Sequence, residues 1–205
     1  MNVLAWLTAG VAGWFWVRAL SPRPAAPMWI RLGREAAMAL AFGTGATAAA
    51  FFALLWAGLG PGAAAWTADG VVFASGAAVW ALRRKSGIAE ESALPAARLP
   101  YGWLAGIAAA ACGIAFLAGV LLMLRASPQG DWDAWAIWNA RAKFLAQEGL
   151  WRNAVSVELT ETHPEYPLLW SAAVARAWSE SGQVAPAAAQ AGAFAAAATL
   201  VLLFA

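Results

Sequence analysis

An all-α protein that crosses a membrane several times is the fold class this sequence predicts, and three observations predict it. Of 205 residues, 62% are hydrophobic and only 12% are charged, about half the charge of an ordinary soluble domain. The stretches Glu35 to Leu59, Gly62 to Leu82, Tyr101 to Leu124 and Pro186 to Ala205 are apolar. Each is about long enough to cross ~30 Å of hydrocarbon as a helix, the open-chain conformation that satisfies its own backbone in lipid. Most of the cations fall between these stretches. The formal net charge of +2, with no Lys/Arg run interleaved with stacking aromatics, excludes nucleic acid as a partner.

Taken in order, the N-terminus lacks the basic n-region of a secretory signal, its first cation being Arg18. Asn2 to Val17 therefore reads as a retained membrane helix. It is short, and reaching across the bilayer requires extension toward Leu20 with Arg18 snorkelling to the interface. The three middle stretches follow; Cys112 lies inside the third and is expected to be a small buried hydrophobe that forms no disulfide. After a polar segment come Pro167 to Glu180, a shorter and partly charged helix, and the last apolar stretch. That makes about six transmembrane helices. The chain stops at Ala205 within an apolar run, which predicts a truncated protein whose fragment alone is inactive. Alanine-rich tracts such as Ala63 to Ala65 and Ala195 to Ala198 suit close helix approach. No internal repeat is evident.

Orientation follows from the cations, since Lys and Arg beside a span stay on the cytoplasmic side. Arg18, Arg23, Arg31 and Arg34 fill the first connection, and Arg83, Arg84, Lys85 and Arg98 the third. The connection Gly60 to Ala65 has none, and residues 125–166 spread four cations over a much longer stretch. The chain thus divides into residues 1–100, three helices with basic cytoplasmic connections, and residues 101–205, which carry an outer loop at 125–166.

That outer loop is a tryptophan-studded polar island between apolar segments. Acidic residues beside a bilayer must stay solvated or paired, because a charge at mid-membrane costs at least ~2.5 to 3.5 kcal/mol. Gly130 breaks the preceding segment and Asp131 can accept free backbone N–H groups, so a helix is expected from Trp132 to about Gln147, stopped by Gly149. In it Trp135, Trp138, Ala142 and Leu145 fall on one apolar face, while Arg141, Lys143 and Glu148 are polar. Such an amphipathic helix should lie along the membrane surface, with Trp132, Trp135 and Trp138 at headgroup depth or serving as a sugar-stacking platform. Asp133 sits about 200° around from Trp135 and points away from that face. It either complements the positive helix end or faces a cleft.

The order of apolar span, Asp133-Ala134-Trp135-Ala136-Ile137-Trp138-Asn139-Ala140-Arg141, Gly149, His163-Pro164-Glu165-Tyr166-Pro167-Leu168-Leu169-Trp170, short helix and Pro186-initiated span resembles the first outer loop of the GT-C membrane glycosyltransferases. These include the protein O-mannosyltransferases, the aminoarabinose transferases of lipid A and the oligosaccharyltransferases. The resemblance covers Tyr101 to Ala205, about half the chain, and rests on order, spacing and topology together, since each element alone is weak. It implies that Asp133, at the opening of the loop helix, is the catalytic base or positions it, and that Glu165, before Pro167, is the second functional acid. Two features depart from the family pattern. The acidic pair at the loop start is replaced by Asp131-Trp132-Asp133, and three helices precede what would be the family's first.

The chemistry so implied is transfer of a sugar from a polyprenyl-phosphate donor on the outer face of a membrane, through an oxocarbenium-like state. A carboxylate takes the acceptor's proton. The leaving phosphate needs a cation, either a divalent metal such as magnesium or manganese held by Asp133 and Glu165, or an Arg/Lys clamp. Asp133 and Glu165 are the expected catalytic residues, and Asp131, Arg141, Lys143, His163 and Tyr166 the expected substrate-binding set. The expected partners are a lipid-linked sugar donor, an acceptor of unspecified class and membrane lipids, in a bacterial inner membrane with the loop on the periplasmic or extracellular side. The plainer expectations are that Arg141 and Lys143 snorkel, that Tyr166 and Pro167 set a turn, and that Asp69 reaches the outer interface. Arg176 and Glu180, one helical turn apart, neutralise each other or line a cavity. The competing class is a non-catalytic membrane protein, a transporter or assembly subunit, whose island is an interfacial anchor. A catalytically silent relative that binds polyprenyl lipid is the third reading.

Overall fold

A computed structural model of the chain describes residues 3–21, 27–85, 102–160 and 163–204. Asn2, Arg23, Arg98, Tyr101 and Ala205, all used in the sequence reading, lie outside the described residues. The rest is helical: α1 (Leu4–Leu20), α2 (Met28–Trp56), α3 (Pro61–Lys85), α4 (Gly102–Ala126), α5 (Ala140–Ala146), α6 (Leu169–Ser181) and α7 (Pro186–Phe204). Among the described residues there is no strand. Four helices, α2, α3, α4 and α7, are long and apolar enough to cross a membrane. The 17-residue α1 and 13-residue α6 are shorter, so the count of six expected from sequence reduces to four helices of full spanning length and two shorter ones.

Local chemistry sets the boundaries. Proline is the first residue of both α3 and α7, where its missing N–H costs nothing and its fixed φ suits the first turn. The α2–α3 turn passes through Gly58 at φ +92, a left-handed conformation that glycine adopts without strain. α2 begins at Met28, a full turn and more before the expected Glu35. That extension carries Glu35 into contact with Arg18, Nη1 to Oε2 3.1 Å, so Arg18 ends α1 in an ion pair instead of reaching freely for headgroups.

Between lipid-immersed helices there is little hydrophobic gain, and association rests on close packing of small residues. α1 and α2 do this with matched Ala-x-x-x-Gly steps, Ala9/Gly13 and Ala39/Gly43. A Cβ at Gly13 would overlap the Ala39 carbonyl oxygen, and one at Gly43 the Ala9 carbonyl oxygen. The pairing of 9 with 43 and 13 with 39 makes α2 antiparallel to α1. α3 runs parallel to α1, since Trp16 Nε1 donates to the Val72 carbonyl (3.0 Å) and Arg83 to that of Ala19. Trp6 ties α1 to the start of α7 through the Ala188 carbonyl, 3.1 Å, with its ring flat on Gly192. α4 packs along α7, where Gly113 faces Val201 and Gln190 donates to the Leu124 carbonyl. Most of the described side chains of α4 are exposed, Cys112 included. The cysteine therefore faces outward from the bundle and is not buried as expected.

These pairings sort the charges. Arg18, Arg31, Arg34, Arg83, Arg84 and Lys85 fall at one end of the bundle, and the segments 127–160 and 163–168 are held at the other, where Glu148 approaches Gly60 in the α2–α3 turn, 3.6 Å from a Cβ built there. The cation asymmetry read along the chain is thus a polarity of the folded molecule.

Candidate functional site

The island is helical over 132–146, close to the expected span, but its first part is a π-helix, Ala134–Asn139, which runs into α5. Gly130 makes the entry possible: it sits at φ +79, and a Cβ there would overlap that of Ala134. Asp131 Oδ1 accepts the Trp132 N–H at 2.8 Å, the expected capping role displaced to the adjacent residue. The wider i→i+5 turn breaks the predicted apolar face. Ile137, Ala142 and Leu145 are buried and Trp138 is half-buried, while Trp135 is exposed and meets only the exposed Trp132, centroids 6.2 Å apart. The helix does not lie free on a surface; α5 packs on α6 and on the 3₁₀ turn Trp151–Val155.

Arg141 overturns its sequence reading most sharply. It is fully buried and neither snorkels nor reaches solvent. Its Nε donates to the Ala154 carbonyl (3.0 Å), Nη1 to those of Tyr166 (2.9 Å) and His163 (3.3 Å), and Nη2 to that of Pro164 (3.4 Å). Among the described residues no carboxylate lies within ion-pair distance of it. Burial lowers its pKa from the ordinary arginine value, with Glu165 opposing the shift, yet a guanidinium remains charged. The result is a positive charge folded under a loop, bonded to carbonyl oxygens and compensated at longer range by Glu165.

The loop that Arg141 holds carries the other expected residues. His163 has φ +48, a left-handed conformation uncommon outside glycine and frequent where strain serves a site. Its ring Nδ1 lies 2.9 Å from Glu165 Oε1 and stacks on Tyr166, centroids 4.7 Å apart and planes within 17°. Tyr166 stacks in turn on Trp138 at 5.8 Å. Glu165 is held below the usual carboxylate range, first by its own backbone N–H and then by His163, although it is exposed. Pro167 stands just outside α6, whose N-cap is Leu168.

Beneath this loop is a cavity of about 430 Å³ walled by Ala48, Ala49 and Phe52 of α2, by Pro164, Tyr166 and Leu168, and by Leu169 and Ala172 of α6, with Arg141 as its one charged lining residue. Ala49 and Leu169 are exposed, so the cavity reaches the flank of the bundle between α2 and α6.

The structure therefore brings Arg141, His163, Glu165 and Tyr166 together. It leaves Asp131 and Lys143 exposed and away from the cavity lining. Asp133 is exposed at the start of the π-helix, caps nothing, and does not line the cavity; nor does Glu165. The stacked Trp138, Tyr166 and His163 lead to Glu165, whereas the Asp133 carboxylate makes no hydrogen bond or ion pair among the described residues. Among the described residues no three His, Cys, Asp or Glu side chains gather as a metal-ligand set. His163 and Glu165 are turned toward each other.

Sequence reasoning missed Asn139, buried and bonded to the Gln129 carbonyl at 3.2 Å, and Ser171, which donates to the Trp138 carbonyl at 3.0 Å. It also misplaced Asp69. This residue is buried in an ion cluster with Arg176 and Glu180 instead of reaching an interface. A polar residue inside an apolar helix was the signal available for it. No protein-family model, curated protein or solved structure matches the chain.

Proposed function

We propose that the chain is part of a membrane glycosyltransferase of GT-C type that takes a polyprenyl-phosphate sugar and transfers the sugar at the loop end of the bundle, on the outer face of a bacterial inner membrane. The observation that carries this reading is the apolar cavity with a buried guanidinium that has no carboxylate partner among the described residues. Apolar walls suit a prenyl chain entering sideways between α2 and α6. A positive charge with no carboxylate in direct contact, in a poorly solvated site, lowers the energy of a phosphate there, as an anion gains more from it than in water. Arg141 contributes this by its charge, since most of its N–H groups are committed to carbonyls.

In the reaction the acceptor hydroxyl oxygen bonds to the anomeric carbon while the bond from that carbon to phosphate oxygen breaks. The phosphate leaves with the electron pair, and the hydroxyl proton passes to a carboxylate. Asp133, exposed and free of capping bonds, is that base. The His163–Glu165 pair, fixed over the cavity rim, orients the acceptor. Tyr166 and Trp138 offer a stacked face to a sugar ring.

The test is transfer from a radiolabelled polyprenyl-phosphate sugar by membranes carrying the full-length protein of which this chain is part, comparing wild type with Asp133→Asn at equal insertion. Loss of about 10² to 10⁴-fold is expected for removal of a general base; unchanged transfer overturns the assignment. A second reading, a non-catalytic transporter or assembly subunit, draws on the buried Asp69–Arg176–Glu180 cluster, since ionisable residues among membrane helices commonly mark ion paths. On that reading Asp131 and Asp133 are interchangeable with other helix caps.

A further inference from the structure

The Asp69–Arg176–Glu180 cluster has a charge imbalance that its geometry does not resolve. Arg176 Nη1 donates to Asp69 Oδ1 at 2.7 Å and to Glu180 Oε1, while Nη2 donates to the Ala5 carbonyl at 2.6 Å. Side-chain exposure is 0% for Arg176, 10% for Asp69 and 4% for Glu180. One guanidinium thus faces two carboxylates, leaving a net charge of −1 in a place water barely reaches. The second oxygens, Asp69 Oδ2 and Glu180 Oε2, are buried with no hydrogen-bond donor. Because Asp69 Oδ1 and Glu180 Oε1 are both bonded to the same Arg176 Nη1, the two carboxyl groups are held side by side around one nitrogen. Ionised carboxylates are acceptors only, so two of them held that close repel unless a hydrogen lies between them.

Among the described residues nothing nearby supplies the missing charge: of the two cations on α5, which packs on α6, Arg141 is committed to the carbonyls of Ala154, His163, Pro164 and Tyr166, and Lys143 is exposed. α1 contributes only the Ala5 carbonyl; its one cation, Arg18, is 13 residues away, about 20 Å along the helix, and is paired with Glu35. The charged residues of α2, Arg31, Arg34 and Glu35, lie at the same remote end, as do Arg83, Arg84 and Lys85 of α3. α7 has no charged residue. On α6 itself Arg176 and Glu180 are the only ones.

We infer that Asp69 and Glu180 share one bound proton under Arg176, forming a proton-binding site that joins α3, α6 and α1 near the loop end of the bundle. With the proton in place the cluster is neutral and α3 is tied to α6. Without it, two carboxylates repel across that contact and the α3–α6 packing loosens. The unfolded chain ionises both acids above the ordinary carboxylate range, so the folded state binds one proton more from there up to the pH at which the shared proton is lost; stability falls as pH rises through that window and is level above it.

The experiment is infrared spectroscopy of the full chain in lipid nanodiscs, with urea unfolding followed across pH. Wild type at neutral pH is expected to show the carbonyl stretch of a neutral carboxylic acid, shifted in D2O and lost as pH is raised. Asp69→Asn or Glu180→Gln is expected to abolish it, because either amide supplies the bridging hydrogen and leaves one carboxylate for Arg176. The folding constant of wild type should fall by up to about tenfold per pH unit between the ordinary carboxylate range and the pH at which the neutral-acid band is lost, and level off above it, while that of the variants should stay flat. Absence of the neutral-acid band from wild type overturns the inference without need of any variant. So does a band that survives both substitutions.

Discussion

Replacing Arg141 by methionine keeps the apolar stem and removes the guanidinium, which isolates what the buried cation does. Three of its bonds, to the carbonyls of Ala154, Tyr166 and His163, are 3.3 Å or shorter. At about 1.5 kcal/mol for each bond to a charged donor, the gross loss is about 4 to 5 kcal/mol. Relief from burying an unpaired cation offsets part of it, leaving a net cost of about 2 to 4 kcal/mol. That cost falls on the loop, because three of the four acceptors, His163, Pro164 and Tyr166, belong to it. The assay is amide hydrogen exchange in nanodiscs, read at the Tyr166 amide, which donates to the His163 carbonyl at 3.0 Å. Exchange there should accelerate by about 30- to 1,000-fold at 1.36 kcal/mol per factor of ten, while α2 near Ala48 and Phe51 stays protected. Arg141→Lys should recover only part of the protection, since one ammonium cannot span four carbonyls that a planar fork reaches. A Tyr166 amide in Arg141→Met that exchanges within threefold of wild type would refute the clamp.

Two further outcomes follow from the geometry. Gly13→Ala should destabilise the α1–α2 crossing by about 1 to 3 kcal/mol, whereas Gly45→Ala, whose added Cβ meets nothing within 4 Å, should be neutral or slightly stabilising; equal unfolding midpoints for the two variants would contradict the close-packing account. The Glu165 carboxyl, followed by carbon-13 NMR, should titrate below the usual glutamate range, and His163→Ala should move it back upward without restoring it fully, because its own backbone N–H acts first. A lowered carboxylate pKa contributes stability above the ordinary range that is lost as pH falls through the lowered value. A midpoint unmoved by His163→Ala would separate the two residues.

What the chain made legible was the layout set by composition and short-range rules. Apolar lengths located the four long helices, the cations marked one end of the bundle, Pro186 opened the last helix, and Gly130 with Asp131 announced a helix start. The i, i+4 spacing of Arg176 and Glu180 anticipated their contact. What stayed hidden depended on partners distant in sequence. Asp69 meets Arg176 across 107 positions, and Arg141 finds carbonyls 13 to 25 residues ahead, which no side-chain pattern encodes. The π-turn is invisible in the sequence because its residues are ordinary helix formers, so the face drawn at α-helical spacing joins Trp135 to Trp138, whereas the structure leaves Trp135 exposed and Trp138 half-buried. α4 was read correctly as apolar, but an almost unmixed apolar composition says nothing about which side packs, and Cys112 fell on the outward one. Of the candidate site, the loop and its residue types were legible. The cavity beneath it, made jointly by α2 and α6, was not.

The most direct test of a lipid-phosphate sugar transferase is photo-cross-linking with a polyprenyl phosphate that bears a diazirine near its phosphate end, on the full chain in nanodiscs, with label positions read by mass spectrometry. The account expects label on Ala48, Phe52, Leu168 or Leu169, displaced by excess polyprenyl-phosphate sugar and not by uncharged polyprenol. Label confined to the exposed faces of α4, and indifferent to either competitor, would contradict it.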